Sequence, residues 1–188
     1  MARRARIDRG AIVSAALELL DEQGVAGLSM RALGSRLGVR AASLYNHVSG
    51  RPELQQLIAD RVWAGVIDVL DRELPWRHLF EQLAAGLRAG LSAHPGAVQV
   101  VAVTNVSVEV YSPAVPIITR AFAGLGVEEP DALLAVASLS VLVIGLAGAE
   151  FGDAPQAPVA PPEYYDHWFE LAVGTFLDGI EARLNSGS

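Results

Sequence analysis

The chain contains no cysteine and no lysine. Without cysteine there is no disulfide, no thiolate nucleophile and no sulfur ligand for a metal, and nothing points to an oxidising compartment. With lysine absent, all 14 basic residues are arginine, which reads as codon bias rather than function. Histidine is sparse: His47, His78, His94 and His167 are scattered, without metal-ligand spacing. No Gly-rich phosphate loop and no internal repeat occur. Glu109, Glu150 and Asp153 would form a carboxylate site only by accident of folding. An enzyme is not expected, nor a cofactor or a bound metal.

Positive charge is short overall but unevenly spread. The net charge of −7 argues against a protein that coats nucleic acid without specificity. Residues 1–51 nevertheless carry eight arginines against four acids, and residues 52–188 six against seventeen. A basic head on an acidic body confines any polyanion contact to the head. At 188 residues the chain is long enough for one large or two small domains. The start, MARRARIDRG, lacks the apolar stretch of a signal peptide. Residues 132–149 are uncharged and mostly apolar, the lower edge of a membrane span. They include serines and glycines, are flanked by Asp131 and Glu150, and have no aromatic belt, so burial in protein is expected and a membrane partner is not.

The stretch 29–48, SMRALGSRLGVRAASLYNHV, reads as two short helices joined by a tight turn. Met30, Leu33 and Leu37 share a helical face. Gly38 then supplies the positive φ that a chain leaving a helix often needs. Leu44 and Val48 form the thin seam of the second helix. Its remaining residues are small, aromatic or hydrogen-bonding. The pattern fits a helix laid in a DNA major groove, and equally an ordinary helical hairpin with a solvated face.

Around it the chain reads as helical throughout. A first helix runs from Asp8, its N-cap, to about Gln23, with Gly24 at C′. Arg3, Arg4, Arg6 and Arg9 precede or open it, unfavourable by the helix dipole and sensible beside a phosphate backbone. Pro52 and Glu53 suit the start of a helix from 51 to about 72. Others are expected at 75–93, 97–106, 112–125, 129–150 and 162–184. The run VQVVAVTNVSVEV alternates like a strand but has no partner strand, so helix or irregular structure is favoured. The fold class is all-α, about nine helices, with a three-helix head (1–50) and a helical body (51–188). The last two helices are too apolar for an isolated monomer. Two from each of two copies would form a four-helix bundle, a homodimer.

Leu28-Ser29-Met30-Arg31-Ala32-Leu33, Leu37-Gly38-Val39, Leu44-Tyr45-Asn46-His47-Val48 and Arg51-Pro52-Glu53-Leu54, in this order and spacing, resemble the head of the tetracycline-repressor (TetR) family of bacterial regulators. The Leu-Tyr-x-His-Val form is similar to its tetracycline-repressor-like branch. The resemblance covers residues 9–57 and is only architectural in the body. It implies a cytoplasmic, dimeric regulator of transcription, by family default a repressor bound to a palindromic operator in double-stranded DNA. It places base reading at Arg40, Ala41, Ala42, Ser43, Tyr45 and Asn46, and phosphate contacts at Ser29, Arg31, Tyr45, His47 and Arg51. The chemistry agrees: Arg40 suits guanine, Ala41 and Ala42 thymine methyls, and Asn46 adenine. Tyr45 and His47 could instead pack on the head, and Asn46 could simply face water.

The family's body usually holds a small molecule. Here the candidate walls are Trp63, Ile67, Leu83, Leu87, Val101, Asn105, Tyr111, Phe122, Leu142, Leu146 and Trp168, each of which could equally be core. Histidines that hold a metal–drug complex in tetracycline-binding members fall on Ile67 and Val100. That departure argues for a mostly apolar effector. The alternative reading is an all-helical adaptor or ligand-binding module that never touches DNA.

Overall fold

The computed structural model describes residues 7–186. Arg3, Arg4 and Arg6 lie outside the described residues, as do Gly187 and Ser188. The described residues are helical, with no strand. The alternating valines around 97–110 are therefore not a strand. They divide into helix, a loop over 102–107, and helix again.

Helix α1 (Arg9–Gly27) starts where the Asp8 carboxylate accepts from Ala11 N at 2.8 Å. Gly24 takes φ 65°, as a C′ glycine does, but the chain turns back into one more helical turn, so the expected stop is a kink. Helix α2 (Met30–Arg36) is capped by Ser29, whose Oγ accepts from Ala32 N at 3.1 Å. Helix α3 (Ala41–Leu44) is a single turn, continued by the bonds from His47 N and Val48 N to Leu44 O. Between them Gly38 holds φ 68°. The chain folds back so tightly that a Cβ on Gly34 would lie 2.9 Å from Val39 O and 3.0 Å from Ala41 N. Leu33, Leu44 and Val48 bury against Ile12, Ala16, Leu19 and Leu20 of α1.

Helix α4 (Arg51–Ile67) ends before the expected residue 72. The Gln82 amide, from α5 (Trp76–Ala93), accepts from Asp71 N at 2.9 Å and donates to Val69 O at 3.2 Å, so it satisfies the backbone of the turn that follows. A 3-10 turn (Pro95–Ala97) leads into α6 (Val98–Val101). Helices α7 (Val108–Tyr111) and α8 (Val115–Ala121) join through a second 3-10 turn, so the helix expected from residue 112 begins earlier. Counting each continuous run once gives nine helical bodies among the described residues.

Helix α9 (Glu129–Phe151) is long and apolar enough to cross a membrane by length and composition. In the fold it packs against α5, α6, α8 and α10 (Pro162–Ser186), burying Ala132, Leu139, Val143 and Ala147. Its other face leaves Leu134 and Val141 63% and 72% exposed. Arg77 binds Asp178 and Glu181, and Arg88 binds Glu150 and Asp166, tying α5 to α9 and α10.

Two hydrophobic cores result. The head core does not close at residue 50: Leu54 and Ile58 of α4 belong to it, and so do Ala97 and Val100. The 95–101 segment reaches the head because Gly96 lies against the backbone of α1. A Cβ there would sit 2.1 Å from Leu20 O. The Asp21 carboxylate accepts from Gly96 N at 3.0 Å and meets His94 Nδ1 at 2.8 Å. Gly96→Ala therefore forces backbone to move. Urea unfolding should show a loss of about 1–3 kcal/mol, the usual scale of overpacking, whereas Gly145→Ala, in open space on α9, should be neutral or slightly stabilising.

Candidate nucleic-acid interface and ligand cavity

The helix-turn-helix presents its polar residues outward because Leu44 and Val48 are fully buried. Ser29, Arg31, Arg40, Ala42, Ser43, Asn46 and Arg51 are exposed, and Ala41 and His47 are half-buried. Tyr45 is 55% exposed, so it does not pack fully against the head.

The head's arginines divide into two sets. Arg36 reaches from α2 to Glu18 (2.9 Å) and Glu22 of α1, clamping the two helices. Arg9 donates from Nε to His47 O at 2.9 Å and from Nη2 to Glu53 Oε1 at 2.8 Å. Arg51 donates to Val25 O at 3.2 Å. These three have structural partners, and Arg9 has a reason to open α1 that needs no phosphate. Arg31 and Arg40 make no side-chain hydrogen bond or ion pair among the described residues, which leaves their donors to solvent or a ligand.

Glu53 completes the clasp. Its Oε2 accepts from Ser49 N at 2.5 Å, reaching back four residues in the manner of a capping box. The Ser49 hydrogen bonds, and behind them the charge of Arg9, hold this carboxyl below the usual glutamate range. Sequence reading placed Glu53 only as a favourable first-turn charge. Glu53 stands three residues after the N-cap Gly50, the position from which a carboxylate reaches back over the helix start, and that was the available signal. Nothing local signalled Gly34, whose constraint comes from residues 39–41.

In the body a cavity of about 730 Å³ lies among α4, α5, the 102–107 loop, α7, α8 and α9. Trp63, Ile67, Leu83, Val101, Asn105 and Tyr111 line it. The other expected wall residues lie elsewhere. Leu87 is wholly buried in the body core. Phe122 stacks on Trp76 at 5.7 Å and meets Phe80 edge-on at 5.5 Å, closing an aromatic cluster. Leu142 and Leu146 fall on the wrong face of α9, which offers Leu133, Val136, Ala137, Ser140, Val141 and Ile144 instead. Trp168 sits on the outside of α10 beside Tyr164. Val100 points into the head core, away from the cavity. Among the described residues no group of three His, Asp or Glu side chains converges to hold a metal.

The cavity wall is fastened to α4. Gln56 Nε2 donates to Asn105 O at 2.6 Å and to Asp60 Oδ1 at 3.0 Å, and the same Asp60 oxygen accepts from Ser107 N at 2.8 Å. The helix that bears these groups begins in the clasp at Glu53.

The described residues thus form a helix-turn-helix head joined to an all-helical body with its own cavity. Residues 12–54 match the family model described as bacterial regulatory proteins, tetR family. An HTH-type transcriptional regulator of Saccharopolyspora erythraea is 37% identical over 139 residues, 74% of this chain and 59% of that relative. The chain thus spans about three-fifths of that relative's length. The class A tetracycline repressor protein from transposon 1721 of Escherichia coli is 28% identical over 206 residues, 95% of this chain and 92% of that one. A solved TetR variant from Acinetobacter baumannii AYE, in complex with minocycline, superposes with a TM-score of 0.81 at 24% identity, covering 95% of this chain and 99% of that chain. The head thus matches the tetR-family model, and the chain as a whole is similar to regulators of that family.

The clasp carries a pH signature. A carboxyl whose pKa is depressed by folding contributes stability at pH values above its ordinary range and loses it as pH falls through the depressed value. Melting curves of the native chain and of Glu53→Gln should be furthest apart near neutral pH and converge in acid. A gap independent of pH would assign Glu53 no charged role.

Proposed function

We propose that the chain is a homodimeric, sequence-specific DNA-binding regulator of transcription, a repressor released from a palindromic operator by a small, mostly apolar effector. Residues 1–50 form the DNA-binding part, and residues 51–188 bind the effector and dimerise, with α4 shared between them. The observation that carries the reading is the contrast among the head's arginines. Arg9 and Arg36 are consumed in holding the head together, while Arg31 and Arg40, on either side of the helix-turn-helix turn, have no side-chain partner among the described residues.

In this reading Arg40, Ala41, Ala42, Ser43, Tyr45 and Asn46 read base edges in the major groove. Ser29, Arg31, Tyr45 and His47 hold phosphates, and so does Arg51 through the guanidinium N–H groups that Val25 O does not take. Ser29 suits this because its hydroxyl accepts from within the helix and keeps its own proton to donate, beside the N–H groups of a helix start. The Leu44-Tyr45-Asn46-His47-Val48 pattern is taken as that of the tetracycline-repressor-like branch, a reading that the near full-length likeness to the class A repressor supports. The work is done in the bacterial cytoplasm, where the operator is.

The exposed apolar residues of α10, Tyr164, Trp168 and Leu171, are what a second copy would cover in a bundle of the last two helices. Two heads related by a two-fold axis then address successive major-groove faces about 34–36 Å apart or more. An effector that moves the 102–107 loop pulls on Gln56 and Asp60, hence on α4 and the head. The effector must prefer the released state, so operator and effector weaken each other's binding equally.

Selection of bound sequences from a random duplex pool tests the reading. A two-fold symmetric motif is expected, with affinity falling steeply as salt rises. Arg40→Ala should cost about 1–3 kcal/mol and relax one position per half-site, whereas Arg31→Ala should weaken all sequences alike and lower the salt slope by about 1 for each phosphate no longer neutralised. An absence of selected sequences, or an affinity indifferent to salt, would leave only an adaptor or ligand-binding module.

A further inference from the structure

We infer that the body cavity takes an uncharged, lipophilic molecule bearing one hydrogen-bonding edge, and that Thr104, Asn105 and Tyr111 hold that edge. The inference rests on reading the body as the effector-binding part and names the chemistry that part selects.

Among the described residues no charged side chain lines this cavity. Other surface depressions of the body do carry charge: one has Asp131 and Arg183 in its wall, another Arg88, Glu150 and Asp166. A carboxylate or ammonium drawn into a wall of valine, leucine, isoleucine and tryptophan gives up hydration and gains no counter-charge. Neutral apolar surface meets no such penalty there.

The polar groups of the lining are few, and apart from Ser140 and the Trp63 indole N–H they fall together. Ser140 is used within α9, its hydroxyl donating to Val136 O at 2.8 Å. Thr104, Asn105 and Tyr111 belong to one segment, and their side chains make no hydrogen bond among the described residues. Two hydroxyls and an amide offer donors and acceptors alike, so they match a hydroxyl or a carbonyl on the ligand. Trp63, from α4, supplies a broad aromatic surface to the same cavity. The lining therefore selects a molecule with an apolar, ring-sized body and one neutral polar edge turned toward the 104–111 segment.

Two matched probe pairs test this on the full-length protein. Phenylnaphthylamine and anilinonaphthalene sulfonate share a skeleton and differ in the anionic sulfonate. The neutral probe should bind at least tenfold more tightly by fluorescence titration, and the filling variants Ile67→Trp and Leu133→Trp should each weaken it. Naphthol should then displace the neutral probe about fivefold better than naphthalene, the scale of one neutral hydrogen bond. Thr104→Val combined with Asn105→Leu and Tyr111→Phe should erase that preference and leave naphthalene unchanged. Thermal melts of each variant establish that it is folded, and two filling variants guard against one that is not.

Equal or tighter binding of the sulfonate would overturn the inference. So would neutral-probe binding that neither filling variant alters, no probe binding at all, or a naphthol preference that survives in the triple variant. Neutral-probe binding with all the expected variant effects, but with operator affinity unchanged, would uphold the inference and overturn release by that ligand class.

Discussion

Gly96 lies flat against Leu20 and Asp21 of α1, and the Asp21 carboxylate holds Gly96 N from the same side. Close approach of two backbones leaves no side chain to yield, so this contact is stiff. It fixes where the 95–101 segment enters the head, and through Ala97 and Val100 it makes a body segment part of the head's core. The second connection between the parts is of another kind. Helix α4 runs from the clasp at Glu53 to the bracket at Gln56 and Asp60, and on to Trp63 and Ile67 at the cavity. The head is thus held at one rigid point and along one helix whose far side faces the cavity.

That arrangement shows why the boundary at residue 50 was a natural reading of the sequence and an incomplete description of the packing. Charge, glycine and proline punctuate the chain there, and those signals are local. The head's core is completed by residues at 97 and 100, which no local pattern connects to α1. The helices themselves were legible almost throughout, because their signals sit within a turn or two: Asp8, Ser29, Gly38, Pro162. Helix α4 stopped early for a non-local reason, the amide of Gln82 satisfying the backbone beyond Ile67. The valine alternation around 100 was ambiguous because apolar β-branched runs suit a buried helix turn as well as a strand.

The candidate site was legible to different depths in its two halves. In the head, short helices put adjacent positions on one outer surface, so a run of sequence translates into a surface patch. In the body, the cavity gathers side chains from helices as distant in sequence as those bearing Trp63 and Ile144, and the same composition serves core and cavity. Phe122 and Leu87 are chemically as suitable as Ile67 and Leu83, and only tertiary packing separates them. On α9 the difference is rotational, residues 133, 137 and 141 facing one way and 142 and 146 another.

The bare apolar lining of the cavity also has a calorimetric consequence. Whatever occupies it removes chiefly apolar surface from water, and such burial carries a negative change in heat capacity. The enthalpy of occupation therefore becomes more favourable on warming while its entropy becomes less so. Occupancy at a fixed ligand concentration then follows a curved rather than a linear dependence on temperature. That curvature is written into the wall by the choice of valine, leucine and isoleucine over any charged residue.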